Sequence, residues 1–107
     1  MFRECSPKQL MELLEQASEP PVLLDVRETW EFEKCHLENS TLVPMREIPS
    51  AMQDFDPDNE IVVICHHGIR SRAVANYLAQ HDFSKVINLS TGIDGWARDI
   101  DTSMPIY

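Results

Sequence analysis

The sequence is poor in the residues that would mark a disulfide-held, zinc-binding or nucleic-acid-binding protein. Its three cysteines, Cys5, Cys35 and Cys65, are odd in number and include no CxxC pair, so they form neither a disulfide framework nor a paired-ligand metal motif. At least one thiol stays free, which suits a reducing compartment, and the expected location is cytoplasmic. Basic residues are scarce too: nine Lys and Arg against 18 Asp and Glu give a formal net charge of -9. Binding a polyanion needs a basic patch, so nucleic acid and anionic lipid are excluded as partners. No window approaches the roughly 18 consecutive apolar residues of a membrane-spanning helix, and Met1-Phe2-Arg3-Glu4-Cys5 has no hydrophobic signal region. Neither insertion in a membrane nor export is expected.

What remains is an ordinary globular composition. With 107 residues, 43% hydrophobic and 25% charged, the chain fits one domain spanning residues 1–107, long enough to bury most of its apolar side chains. The acidity is lopsided, since residues 1–60 hold 14 of the 18 Asp and Glu while residues 61–107 hold four of each sign. Such an acidic face aids solubility or meets a basic partner.

Local patterns alternate between helix and strand. Ser6-Pro7-Lys8-Gln9 reads as a helix start, with Ser6 as N-cap, Pro7 at the first helical position and Gln9 completing a capping box. Leu10, Met11, Leu13, Leu14 and Ala17 supply its apolar stripe. Pro20-Pro21 stops that helix, and Val22-Leu23-Leu24-Asp25-Val26 is a short apolar run of the kind buried in a parallel sheet. Thr41-Leu42-Val43 is a weaker strand ended by Pro44, after which Ile48, Ala51, Met52 and Phe55 fall at helical spacing. Asp56-Pro57-Asp58-Asn59 makes a turn into Ile61-Val62-Val63-Ile64-Cys65, the strongest strand in the sequence. A helix over 71–81 follows, with Val74, Tyr77, Leu78 and His81 on one face. Val86–Leu89 is a further strand, and a short helical segment runs from Gly92 through Trp96. The fold class is α/β: a mainly parallel sheet flanked by helices on both faces, with reactive groups gathered in loops beyond the carboxyl ends of the strands.

Chemistry concentrates in one of those loops. Cys65 closes the apolar strand and precedes a glycine-containing turn into a helix, so its sulfur should sit in an open cup of backbone N–H groups at a positive helix end, a setting that binds anions and favours thiolate over thiol. Gly68 lets the backbone curl without a Cβ clash, and Arg70 and Arg72 add two cations in an otherwise acidic chain. Together they predict a nucleophilic Cys65 and an anionic substrate. The plain alternative is a cysteine that merely fills the sheet core beside a glycine turn.

Three stretches, in order, bear on that choice. Cys65-His66-His67-Gly68-Ile69-Arg70-Ser71 resembles the active-site loop of the rhodanese (thiosulfate sulfurtransferase) family. Leu24-Asp25-Val26-Arg27-Glu28-Thr29-Trp30-Glu31-Phe32 with His36 is similar to that family's N-terminal signature, and Gly92-Ile93-Asp94-Gly95-Trp96 to its C-terminal one. The resemblance covers residues 22–96 and implies a persulfide cycle: Cys65 takes a sulfane sulfur from a small anionic donor such as thiosulfate and gives it to a thiophilic acceptor, a thiol or a sulfur-carrier protein. It further implies that the loop amides of His66, His67, Gly68, Ile69 and Arg70 cradle the persulfide, that Arg70 helps hold the donor, and that no metal or organic cofactor takes part. Related phosphatases of the same fold have a loop one residue longer, so the four residues between Cys65 and Arg70 resemble the sulfur-handling kind. The tail Asp101–Tyr107 resembles the end of rhodanese domains attached to adenylating enzymes that charge sulfur carriers, which brings in a protein-to-protein sulfur relay as a second reading. A third is a non-catalytic binding module of the same fold, and the least favoured is a phosphatase.

The chain also departs from that family. Cys35 stands where glycine is usual, Glu38-Asn39 replaces Pro-Gly, and Thr91 precedes Gly92. Cys35 is expected to be a buried, idle thiol, with a resolving disulfide to Cys65 as the alternative. At most one of His66 and His67 should face the sulfur, since adjacent residues point in different directions, and the other should be solvated. Asp25, Arg27 and His36 are expected to brace loops, Trp30 and Trp96 to pack, and Ser71 to cap its helix.

Overall fold

Five short strands, all parallel, run side by side in this computed structural model, which describes residues 1–107. In chain order they are β1 (Arg3–Cys5), β2 (Val22–Asp25), β3 (Ser40–Leu42), β4 (Ile61–Ile64) and β5 (Val86–Leu89). Their order across the sheet is β1-β5-β4-β2-β3, with Asp25 opposite both Leu42 and Ile64, and Val63 opposite Asn88. The helices are α1 (Pro7–Gln16), α2 (Thr29–Lys34), α3 (Ile48–Ala51), α4 (Ile69–Gln80) and α5 (Gly92–Asp99), and a 3₁₀ turn flanks α3 on each side.

The central strand β4 explains the layering. Ile61, Val62, Val63 and Ile64 are all fully buried, as a strand covered on both faces must be. Side chains alternate across a strand, so Ile61, Val63 and Cys65 join one apolar cluster with Leu24, Val74 and Leu78, under α3 and α4. Val62 and Ile64 join the other, with Leu10, Cys35, Ile93 and Trp96, under α1 and α5. Each buried Leu, Ile or Val contributes about 1.5–3 kcal/mol relative to exposure, so these two layers hold the carboxyl edge of the sheet in place.

Two elements escape the sequence patterns. β1 shows no apolar alternation; it is an edge strand held by its pairing with β5. The helix α2 falls in a stretch without an apolar stripe, and its one buried residue is Glu31. Elsewhere the boundaries move slightly: α4 begins at Ile69 rather than Ser71, and His81 lies exposed just beyond its end. The predicted helix start at Ser6 is present with both capping-box hydrogen bonds. No helix is long and apolar enough to cross a membrane.

Candidate active site

Cys65 follows β4 directly and α4 begins four residues later, so the loop between them spans 65–68. Gly68 is the turning point: its φ of 95° is left-handed, and a Cβ there would run into the backbone of Ser90. Gly92, at φ 63°, stands against the loop from the other side, where a Cβ would strike the carbonyls of Cys65 and His66. This close approach lets the first turn of α5 hold the loop: Ile93 N–H donates to the Cys65 carbonyl at 2.8 Å and Asp94 N–H to the His66 carbonyl at 3.0 Å. With its carbonyls taken up by α5, the loop turns Gly68 N–H inward to donate to Cys65 Sγ at 3.1 Å. The first intrahelical bond of α4 runs from Arg72 N–H to the Gly68 carbonyl, so the amides of 69–71 belong to the unsatisfied, positive end of a helix.

The sulfur lies deeper than an open cup would place it. Cys65 is 1% exposed, and its Sγ–H donates to Ser71 Oγ at 3.3 Å. Ser71 in turn donates to Asn88 Oδ1, and Asn88 Nδ2 donates to Glu4 at 2.9 Å and to the Gly68 carbonyl at 3.3 Å. Ser71 is thus no helix cap; it is buried inside α4 and touches the sulfur. A serine hydroxyl has one proton, so when Cys65 ionises Ser71 can turn that proton from Asn88 to the thiolate. Of the residues that follow it, His67 and Ile69 are exposed and His66 and Arg70 partly buried.

Arg70 has a partner that no local pattern announces. Its guanidinium grips Glu31 with two parallel hydrogen bonds, Nη1 to Oε1 at 2.7 Å and Nη2 to Oε2 at 2.9 Å, which leave its other three N–H donors unused. Glu31 also accepts from Glu28 N–H at 2.9 Å and from the Tyr107 hydroxyl at 2.8 Å. This saturated carboxylate is held at a pKa of about 2, first by the Arg70 hydrogen bonds and against the cost of burial. Arg72, the other cation, pairs with Glu4 at 3.0 Å.

Behind Glu31 lies a fully buried ion pair. Arg27 Nη2 donates to Asp25 Oδ2 at 2.7 Å and to the Cys35 carbonyl at 2.6 Å, while Nη1 reaches the Tyr107 hydroxyl at 2.8 Å. Tyr107 therefore joins the Asp25–Arg27 pair to the Glu31–Arg70 pair. Its ring stacks on the His66 imidazole at 3.8 Å and 4°, and meets Trp30 edge-on at 5.8 Å. Burial pushes the Tyr107 pKa up to about 12, so it stays protonated. Burial, and next the neighbouring His67 charge, push the His66 pKa down, and its Nε2 has no partner.

Asp25 and Arg27 brace the loops as expected, and His36 Nδ1–H donates to the Phe32 carbonyl, 2.7 Å away, on the surface. Trp96 packs, 9% exposed, but Trp30 is 60% exposed. All three cysteines are free thiols. Cys35 and Cys65 sit in clusters on opposite faces of the sheet, which rules out the resolving pair in this fold. His66, His67 and Asp94 bring three donor atoms within 4.8 Å of one another. The two imidazoles stack at 3.8 Å and 29°, and one Asp94 carboxylate oxygen pairs with Arg98 at 2.8 Å. Glu31, Ser71, Asn88 and Tyr107 carry no signal of their own in the sequence; the serine's place one turn into the helix after Cys65 was the nearest clue.

A cysteine at the carboxyl edge of a parallel sheet, bonded by a loop amide at a helix N-terminus, is an arrangement from which a thiol can act as a group-transfer nucleophile. The chain belongs to the rhodanese-like domain family, whose model matches residues 6–99. It is similar to the thiosulfate sulfurtransferase GlpE of Haemophilus influenzae, 32% identical over 105 residues, covering 95% of this chain and 97% of that protein. It is also similar to a putative sulfur carrier protein, YrkF of Bacillus subtilis, 36% identical over 74 residues and 40% of that protein's length. Among solved structures, a rhodanese-related protein from Thermoplasma volcanium superposes with a TM-score of 0.82 at 28% identity, covering 92% of this chain and 93% of that one.

Proposed function

We propose that this chain, as one domain over residues 1–107, carries a sulfane sulfur on Cys65 and passes it to a thiol acceptor. Family membership makes it a sulfurtransferase; the observation that carries the assignment to Cys65 is the Gly68 amide aimed at its sulfur from the start of α4. In the first half-reaction the Cys65 thiolate attacks the outer sulfur of the donor. A Cys65–S bond forms, the donor S–S bond breaks, and the leaving group departs with the electron pair, as sulfite if the donor is thiosulfate. In the second, an acceptor thiolate attacks the outer persulfide sulfur and Cys65 leaves as thiolate, so no net oxidation occurs. Gly68 N–H, with the amides of Ile69 and Arg70 at the helix end, offsets the negative charge on the terminal sulfur. Ser71 serves Cys65 Sγ by turning its proton. Arg70, held in place by Glu31, helps hold the anionic donor with its remaining N–H groups. Three free thiols are consistent with a reducing, cytoplasmic setting.

Intact-mass measurement after incubation with thiosulfate or glutathione persulfide tests this reading. One added sulfur per chain, abolished by Cys65→Ser and retained in Cys35→Ser, is the expected result. No adduct from either donor would leave a binding module of the same fold.

A further inference from the structure

Between the sheet and the mouth of the site the polar side chains form one hydrogen-bonded line whose direction is fixed by donor chemistry. Arg27 is fully buried, held by Asp25 and by the Cys35 carbonyl, and its Nη1 reaches the Tyr107 hydroxyl at 2.8 Å. A guanidinium has no acceptor, so Tyr107 Oη accepts there. Its single proton is then left for Glu31 Oε2, 2.8 Å away. A carboxylate offers about four acceptor sites, and donors fill all those of Glu31: Arg70 Nη1 and Glu28 N–H on Oε1, Arg70 Nη2 and Tyr107 on Oε2. At its far end the line reaches solvent, since the Arg70 side chain is 35% exposed against 4% for Glu31. The Arg70 pKa is raised, first by the Glu31 hydrogen bonds and further by the negative charge of a Cys65 thiolate, so guanidinium and sulfur share one mouth.

A two-point grip fixes the guanidinium plane relative to the carboxylate, but not the carboxylate itself. Glu28 lies only three residues from Glu31, so Tyr107 is the contact that ties this carboxylate to the buried Arg27. Resting on the sulfur-transfer reading above, in which the unused N–H groups of Arg70 hold an anionic donor, we infer that Tyr107 is a positioning residue: its hydroxyl sets where Arg70 points and so makes the site favour anionic reagents over uncharged ones. It acts through Glu31 and Arg70 rather than on the sulfur. Without the hydroxyl, Glu31 Oε2 keeps Arg70 as its one partner, and the carboxylate is free to turn about its last bond and carry the guanidinium with it. The tyrosine ring also stacks on His66. That packing role is separable, because phenylalanine keeps the ring and deletes the hydroxyl alone.

Tyr107→Phe, its fold checked by far-UV circular dichroism, tests this with two readouts. In single-turnover loading of Cys65 from thiosulfate, the half-saturating concentration should rise about tenfold while the maximal rate stays within about twofold, as expected when ground-state binding is lost. Alkylation of Cys65, located by peptide mass mapping, needs no sulfur transfer: iodoacetate and iodoacetamide are close in size and differ by one negative charge, so their rate ratio reads the positive field at the sulfur. That ratio should fall about fivefold in Tyr107→Phe. It should fall at least as far in Arg70→Gln, and adding Tyr107→Phe to that variant should change it by less than about twofold, since the hydroxyl acts through the guanidinium. A lower maximal thiosulfate rate at unchanged half-saturation, both alkylating agents slowed alike at an unchanged ratio, or full additivity in the double variant would make Tyr107 a packing residue and leave sulfur transfer standing. A wild-type chain that takes no sulfur from thiosulfate overturns the transfer of sulfur from that donor, and the alkylation ratio still decides for or against Tyr107.

Discussion

Cys35 and Cys65 are buried almost equally, at 8% and 1% exposure, yet their surroundings are opposite in polarity. Cys35 Sγ–H donates to the Pro105 carbonyl at 3.5 Å, so the group beside it is an acceptor. Cys65 Sγ donates to Ser71 Oγ but also accepts from the Gly68 amide at the start of a 12-residue helix, so a backbone N–H at the positive end of a helix faces it. Burial alone therefore does not distinguish the two cysteines; the backbone amide aimed at Cys65, which Cys35 lacks, does. Each prediction below disturbs one side of that contrast.

Gly92→Ala should have the largest effect. A residue other than glycine at φ 63° costs about 1–2 kcal/mol, and the added Cβ pushes on the Cys65 and His66 carbonyls that α5 now holds. The loop amide should swing off the sulfur, and a misplacement of about 1 Å costs on the order of 100-fold in rate. Sulfur loading followed by mass, with far-UV circular dichroism as a check on the fold, reads this out. Loading within about threefold of wild type would mean that α5 does not set the loop.

Ser71→Ala comes next. It strands Asn88 Oδ1 in a buried site and removes the proton that can turn to Cys65. Stability should fall by about 1–3 kcal/mol in urea unfolding, and loading should slow about tenfold, the kinetic worth of one neutral hydrogen bond. Unchanged loading at reduced stability would make Ser71 a packing residue only.

How far the site could be read from residues follows the same contrast. Cys65, Gly68 and the strand before them were legible because an apolar run, a glycine and a helix pattern are local signals. The α/β class was legible because strands buried on both faces are continuous apolar runs, as Ile61–Ile64 is. Arg70 was legible as a cation, but not as one already paired, since Glu31 lies 39 residues away in a helix without an apolar stripe. Tyr107 is 76 residues from the carboxylate it bonds, and β1 forms only because β5 is beside it. Partners set by the tertiary fold leave no periodicity behind.

Glu31→Gln acts through pH. A folded-state pKa of about 2, below the unbonded value of 4.5, means that Glu31 stabilises the fold fully above pH 4.5 and that this contribution is lost as pH falls toward 2. Wild-type stability should therefore drop across that window, and Glu31→Gln, less stable at pH 7, should show a shallower slope through it. Parallel slopes in the two proteins would mean that the Arg70 and Tyr107 hydrogen bonds do not hold the carboxylate charged.

Cys35→Ala should have the smallest effect on function, and it tests the contrast from the inert side. Trimming one buried sulfur leaves a small cavity, worth about 1 kcal/mol by comparison with other one-group deletions in cores. Cys65→Ala removes a similar volume from the other face, so the two variants should lose similar stability and differ in activity: loading absent in one, within about twofold of wild type in the other. Mild oxidation sharpens the point. A disulfide needs Cα atoms within about 7 Å and side chains that face each other, whereas these two side chains pack on opposite faces of β2 and β4. Oxidised wild type should show no loss of two hydrogens from the intact mass, and Cys35→Ala should recover loading on reduction at the same rate as wild type. An intramolecular disulfide would require the sheet edge to open, and would place Cys35 in the reaction after all.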